Sequence, residues 1–190
     1  MNTGQMMLAT GAMVLLGTTV FTVNRNNLQQ GTILRQTELG IYAVSLATSI
    51  IQRASGMSFD EKTIGNNTVP TTILPVAGVL STTLGIESGA ANIVPPTEWA
   101  NNDTSFDDFD DYNNFSKDTT ITGVDNFHIS AIVYYVNQSQ PYSISATPTW
   151  LKQMDIAVNN TISRKVFEDP SSTNKGGTDT IKLSYIFSFY

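Results

Sequence analysis

An uncharged run near the start of the chain constrains its fold more than any other feature. The 18 residues from Met6 to Val23 include no Lys, Arg, Asp or Glu. At 1.5 Å per residue, a helix of this length extends roughly 27 Å, barely enough to cross the hydrocarbon core of a bilayer. Because so much apolar surface is unfavourable in water, lipid or other protein has to cover this segment.

A removable secretory signal peptide is one interpretation of this run. Such a peptide begins with a region that carries Lys or Arg, and residues 1–5 carry neither. A small-residue cleavage site should also follow, yet residues 24–27 read Asn-Arg-Asn-Asn. We therefore expect the run to remain in the mature chain.

The run also contains small residues at about helical spacing, including Gly11 and Gly17. Small residues let neighbouring helices approach closely. Two interpretations stay open. One is a lone membrane anchor with tolerated glycines, and the other is a helix that leaves the membrane to pack against copies of itself.

Helical periodicity resumes after the polar break at residues 24–27. Apolar residues recur there with i, i+3, i+4, i+7 spacing, at Leu39, Tyr42, Ala43, Leu46, Ala47, Ile50 and Ile51. The pattern predicts one amino-terminal helix over residues 1–54, roughly 80 Å long. We expect its apolar first half to be covered by lipid or other subunits, and its amphipathic second half to pack on the rest of the chain.

The rest of the sequence predicts an α+β fold. Prolines and glycines indicate a loop-rich connector over residues 55–118. Alternating apolar and β-branched residues then predict a β-sheet head over residues 119–190. The expected strands lie near residues 119–124, 129–136, 154–158 and 181–189. They should form an antiparallel sheet with one face against the amphipathic half of the helix.

An acidic and aromatic run lies near the end of the connector, from Phe106 to Phe115. Aromatic residues recur there at every third position. Clustered carboxylates suggest a Ca²⁺ site, although EF-hand spacing is absent. The alternative is a turn whose aromatic side chains pack on the sheet while its acids face water. The candidate calcium ligands are Asp107, Asp108, Asp110 and Asp111.

Composition argues against several functional classes. The net charge of −6 and the lack of a basic stripe argue against nucleic-acid binding. The chain has no cysteine, which excludes disulfides and thiolate chemistry. His128 is the only histidine, and no nucleophile motif accompanies it. We expect neither an enzyme nor a cofactor.

This layout resembles that of type IV pilins and the related pseudopilins. The resemblance covers the amino-terminal helix, the connecting loop and the C-terminal sheet. The run from Phe106 to Phe115 is also similar to a DDxDDYNG-like segment of many bacterial pilin-like proteins. The resemblance implies a structural subunit of an extracellular filament, inserted in the membrane before assembly. Its partners would be copies of itself, the inner membrane and the pilus assembly machinery.

The chain departs from the pilin pattern at its amino terminus. Pilins usually begin with an apolar residue such as phenylalanine, have glutamate at the fifth position and follow a short basic leader. This chain begins with Met1, has Gln5 at the fifth position and shows no leader. Gln5 can accept a hydrogen bond from a neighbour's terminal amine but cannot form the ion pair. The residues expected in the filament core are Met1, Gln5, Met6, Met7, Leu8, Gly11, Met13, Val14, Leu15, Leu16, Gly17, Val20 and Phe21.

Two alternatives to a major filament subunit remain open. A minor pseudopilin of a secretion machine would share the same architecture. A monomeric, membrane-anchored binding protein would instead use the acidic run as a Ca²⁺ or ligand site. Abundance in sheared surface material would favour the filament subunit, whereas retention in membranes would favour the other two.

Overall fold

The computed structural model describes residues 2–63, 79–86, 102–160 and 180–189. These residues form one long helix followed by a five-stranded antiparallel sheet, the α+β arrangement that the sequence predicts. The elements are α1 (Thr3–Ser55), β1 (Phe115–Ile121), β2 (Asp125–Asn137), β3 (Gln140–Ile144), β4 (Leu151–Asn160) and β5 (Thr180–Ser188). The chain divides into two units, Met1–Leu39 and Gly40–Tyr190.

The first unit consists of the amino-terminal part of α1. Its large apolar side chains before Leu39 are exposed, as Met7 at 78% and Leu8 at 77% illustrate, whereas Leu39 itself is buried. Among the described residues, α1 is the one helix long and apolar enough to cross a membrane, and none of its most apolar window is buried. A membrane anchor and a signal sequence both meet this criterion. The structure therefore agrees with an apolar first half that something outside this unit has to cover.

The sheet of the second unit has the strand order β1-β2-β4-β5, and β3 pairs with β2 beside this path. The register aligns apolar residues across the strands. Ala131 pairs with Phe115 on one side and with Ile156 on the other, and Ile156 pairs with Leu183. Because side chains alternate between the two faces of a strand, these pairs build one buried face.

The carboxyl-terminal part of α1 packs on this sheet through one stripe of small side chains. Ala43, Ala47 and Ala54 are fully buried, and Ile50 is nearly so. Their i, i+4, i+7, i+11 spacing places them on one side of the helix. Alanine lets the helix backbone lie close to the residues it covers, as the amphipathic pattern predicts.

The predicted strands 129–136, 154–158 and 181–189 fall in β2, β4 and β5. The predicted start of the head at residue 119 falls inside β1, which begins at Phe115. Strand β3 was not predicted, because it is short and contains Pro141, a residue that sheets accept at edges. Connector residues 64–78 and 87–101 lie outside the described residues, and so does Met1.

Two isoleucines of β2 provide a matched test of this packing. Ile129 is 2% exposed and Ile132 is 55% exposed. We expect Ile129→Ala to lower the free energy of unfolding by about 2–5 kcal/mol, since it removes buried methyl groups and leaves a cavity. Denaturant unfolding of the full chain in detergent measures this change. Ile132→Ala should have a much smaller effect, and equal losses would contradict the assigned sheet face.

A buried lysine and carboxylate cluster as the candidate functional site

Lys152 lies in β4 and is completely buried. The alternation of β4 assigns its position to the core face, the same face as Met154, Ile156 and Val158. The register sets Lys152 between Tyr135 of β2 and Phe187 of β5. A cation therefore occupies a position where the pattern calls for an apolar side chain.

All three donors of the Lys152 ammonium are used. Nζ donates to the Phe59 carbonyl oxygen at 2.6 Å, to Asp60 Oδ2 at 2.9 Å and to Asp110 Oδ1. Nζ also lies 4.6 Å from the centre of the Phe59 ring and 5.2 Å from that of the Tyr135 ring. Both rings offer the cation a favourable π face in a site without water access. Lys152 thus links segments that are 92 and 42 residues away in the chain.

Asp60 is the anionic partner of this cation. Its Oδ1 accepts hydrogen bonds from the Ser81 hydroxyl at 2.9 Å and the Ser81 N–H at 3.0 Å. Its Oδ2 accepts one from the Tyr135 hydroxyl at 2.9 Å. Burial alone would raise the pKa of Asp60, but the Lys152 charge and the hydrogen bonds from Lys152, Ser81 and Tyr135 together hold it below its usual value. Asp60 is therefore ionised at neutral pH.

The acidic run folds into a short 3-10 turn, Asp110–Tyr112. Asp108 Oδ1 accepts the N–H groups of Asp110 at 2.8 Å and Asp111 at 3.2 Å. Asp111 Oδ2 accepts those of Asp107 and Asp108, each at 3.0 Å. The carboxylates hold the turn closed through its own backbone.

The interpretation of this run as a turn pinned by aromatic side chains is confirmed in part. The expectation that its acids face water is wrong for Asp108, Asp110 and Asp111, which are buried. The local sequence pattern does not reveal this burial. The energetic cost of burying the acids is offset by hydrogen bonds from the backbone N–H groups of the turn and by Lys152, which is distant in sequence. The aromatic side chains that are buried as expected are Phe106, Phe109, Tyr112 and Phe115.

Protonation of Asp108 and Asp110 reduces the charge of the cluster. Burial raises the pKa of Asp110 above its usual value even though Lys152 opposes the shift. Burial, with the charges of Asp110 and Asp111 nearby, raises the pKa of Asp108 to about 11. The Asp60 carboxylate thus carries the negative charge beside Lys152, while Asp108 is a neutral acid at neutral pH and burial shifts Asp110 toward its neutral form.

Among the described residues, the geometry of the acidic run does not provide a set of ligands for calcium. In the described part of the chain, no three or more His, Cys, Asp or Glu residues are arranged so that they could hold a metal ion. Lys152 supplies a positive charge at the Asp110 carboxyl instead. Asp107, the fourth candidate ligand, is only partly buried.

The predicted filament-core residues lie in α1, apart from Met1, and all of these have exposed side chains. His128 lies in β2, where its Nδ1 is 2.6 Å from Oδ1 of Asp118 on β1. Sequence reasoning missed Asp60, Ser81, Tyr135 and Lys152. Only Lys152 left a signal in the sequence, since it is a charged residue at a core-facing position of an alternating strand.

No protein-family model, curated protein or solved structure matches this chain. The cluster is therefore interpreted from its own geometry. Its central side chains, Lys152, Asp60 and Asp110, are buried from solvent, so a soluble substrate has no direct access to them. The arrangement is suited to joining distant parts of the head rather than to turning over a ligand.

Removing one charge from the cluster should be costly. We expect Asp60→Ala to destabilise the head by about 3–5 kcal/mol, because it leaves the Lys152 ammonium buried without the Asp60 carboxylate. The shift in the denaturant midpoint measures the loss. Asp118→Ala is the control, because the Asp118 side chain is 79% exposed and surface ion pairs contribute little. Equal midpoints for both variants would contradict the role of Asp60.

The raised pKa of Asp108 predicts an unusual pH dependence. Between its ordinary pKa of 3.8 and about 11, the folded state keeps a proton that the unfolded state releases. Stability from this group therefore falls as pH rises through that window. The lowered pKa of Asp60 acts in the opposite direction only below 3.8. We expect the thermal midpoint to decrease from mildly acidic to mildly alkaline pH.

Asp108→Asn isolates this contribution. Asparagine keeps an oxygen that can accept the two turn N–H groups, and it cannot ionise. We expect a flatter profile of thermal midpoint against pH than in the wild type. Parallel profiles for the two proteins would show that Asp108 is not the neutral buried acid described above.

Proposed function

We propose that this chain is a structural, non-enzymatic subunit of an extracellular filament of the type IV pilin kind, polymerising through residues 6–23. The observation that carries the proposal is the exposure of the apolar run in a chain whose second unit has a closed core of its own. Apolar surface on this scale requires a cover. Copies of the same helix can supply it.

The polar side chains of the run suit an apolar environment. The run contains four threonines, and each hydroxyl donates to a carbonyl oxygen one turn earlier in the helix, at 2.7–3.0 Å. Since these hydroxyls need no water or outside partner, they can be buried by lipid or by protein. The threonines are Thr10, Thr18, Thr19 and Thr22.

The glycines of α1 favour a protein partner over lipid alone. A Cβ added at Gly4, Gly11, Gly17 or Gly31 would meet nothing within 4 Å in the described part of the chain. Each interior glycine costs a helix about 0.8–1.0 kcal/mol relative to alanine. Nothing among the described residues packs closely enough on these glycines to require that cost. Close approach of neighbouring helices would account for it, because small residues bring helix backbones together in an apolar medium.

Assembly would then depend on packing more than on the hydrophobic effect. Moving the run from lipid into a bundle of helices gains little hydrophobic free energy, since lipid tails are as apolar as leucine. Close contact at the small residues has to supply the difference. Before assembly, the same run would hold the subunit in the inner membrane, where the assembly machinery extracts it.

Gly11→Leu tests the proposal directly. A leucine at this position would separate neighbouring helices, while its Cβ would meet nothing within 4 Å in the part of the chain that the structure describes. We expect the chain to shift from the sheared surface fraction to the membrane fraction of the producing cells. Quantitative mass spectrometry of both fractions measures this shift.

The matched control is Gly11→Ala, which should assemble nearly as the wild type does. The thermal midpoint of the head should be unchanged in both variants, which separates assembly from folding. Wild-type chain found only in membranes as single copies would overturn the proposal in favour of an anchored binding protein. Trace amounts in filaments built mainly from another chain would indicate a minor pseudopilin.

A further inference from the structure

Lys152 and Asp110 form an unusual pair because both side chains are buried and in contact with each other. Nζ of Lys152 contacts Oδ1 of Asp110, and the two side chains are 0% and 1% exposed. Lys152 lies within β4, and Asp110 lies in a turn closed by its own carboxylates. An amine and a carboxyl group are thus held in contact by rigid elements.

We propose that Lys152 Nζ and Asp110 Cγ join in an intramolecular amide bond, with Asp60 accepting a proton from the lysine. The bond would be a covalent cross-link between β4 and the turn that precedes β1. It would form once the head has folded, and it does not depend on filament assembly.

Fixed proximity is the first argument. The contact between Nζ and Oδ1 places Nζ close to the carbon of the same carboxyl. Near-attack geometries hold reacting atoms about 3–3.5 Å apart. Well-oriented groups within one molecule react with effective molarities of about 10⁵–10⁸ M. An exposed and mobile lysine would not have this advantage.

The second argument is the apolar enclosure. The rings of Phe59 and Tyr135 lie over Nζ, and both residues belong to a buried cluster with Leu80 and Trp150. Amide formation releases water, and exclusion of water from the site favours the condensed product over hydrolysis. The same enclosure makes separated charges costly and thus favours neutral reactants.

The third argument is the division of roles between the two carboxyl groups. Attack requires a neutral amine and an un-ionised acid, since a carboxylate is a poor electrophile. Burial raises the pKa of Asp110 and so favours its un-ionised form, and we therefore assign this side chain as the acid. Asp60 is the carboxylate held ionised by Ser81, Tyr135 and Lys152, and its Oδ2 is 2.9 Å from Nζ. Asp60 is thus in reach to accept the proton.

The reaction balances within the cluster. The Lys152 ammonium gives one proton to the Asp60 carboxylate and becomes an amine. The amine attacks Cγ of Asp110, the C–N bond forms, and the C–OH bond breaks. The hydroxyl leaves as water with a second proton from the nitrogen. One proton remains on the amide nitrogen and one on Asp60, so no oxidant, reductant or activating group is needed.

Such a bond would give the head a covalent cross-link. The chain cannot form disulfides, because it has no cysteine. It would join positions 42 residues apart. A cross-link of this kind limits the freedom of the unfolded chain.

Mass spectrometry of the full chain, purified folded in detergent, tests the proposal. We expect a mass lower than that of the sequence by one water, and a protease digest containing one branched peptide that joins Lys152 to Asp110. The digest makes the result independent of other modifications. Folded wild-type chain with the two peptides unlinked would overturn the proposal, and a branch at Asp60 would overturn the assignment of Asp110 as the acid.

Two variants assign the roles. Lys152→Met is similar in length but lacks the amine, and it should show no mass deficit. Asp60→Asn keeps a similar shape but cannot accept the proton, so the branched peptide should be lost while circular dichroism shows a folded head. Cross-linked Asp60→Asn protein would contradict the role of Asp60. If either variant fails to fold, the wild-type measurement still decides.

Discussion

The head depends on the contacts of one buried lysine. At Lys152, the segment that follows α1, the acidic turn and strand β4 meet, through Phe59, Asp60 and Asp110. Ser81 and Tyr135 reach the same place by hydrogen bonds to Asp60. A buried charge pair often adds little net stability compared with apolar residues of the same volume, but removing one partner is costly. We interpret the cluster as the set of contacts that fixes Asp60, Ser81 and the acidic turn against the sheet.

The amino-terminal unit has an exposed apolar surface instead of a buried polar cluster. In the second unit, the buried Lys152 and Asp60 find hydrogen-bond partners within their own chain. The first unit instead exposes its apolar run, and its glycines meet no counterpart in the described residues. Its threonine hydroxyls are satisfied by the helix itself. A segment of this kind is stable only in an environment supplied from outside, by lipid or by other copies. The filament proposal follows from this contrast between the two units.

Local sequence signals predicted much of the architecture. The uncharged run and the spacing of Ala43, Ala47 and Ile50 were enough to predict α1. The amphipathicity of a helix can be recognised from the spacing of apolar residues three or four positions apart. Alternation was likewise enough for β2, β4 and β5. β3 has only five residues, and its register with β2 shifts at Val136/Asn137, so alternation gave no usable pattern there.

The candidate site was harder to predict because its partners are distant in sequence. The acidic run was expected to face water, as charged runs generally do. Its burial depends on Lys152, 42 residues from Asp110, and on Asp60, 92 residues from Lys152. No local pattern connects these three positions. The aromatic spacing of the run did predict that its four aromatic side chains are buried, because that spacing is itself a local signal.

The measurement that tests the central claim most directly is a helical reconstruction from electron micrographs of filaments sheared from the producing cells. The account predicts this chain as the main component, residues 6–23 of neighbouring copies packed at the filament axis, and the β-sheet heads outside. Gly11 and Gly17 should lie where helices approach most closely. Filaments without this chain, or a polymer in which residues 6–23 do not contact other copies, would contradict it.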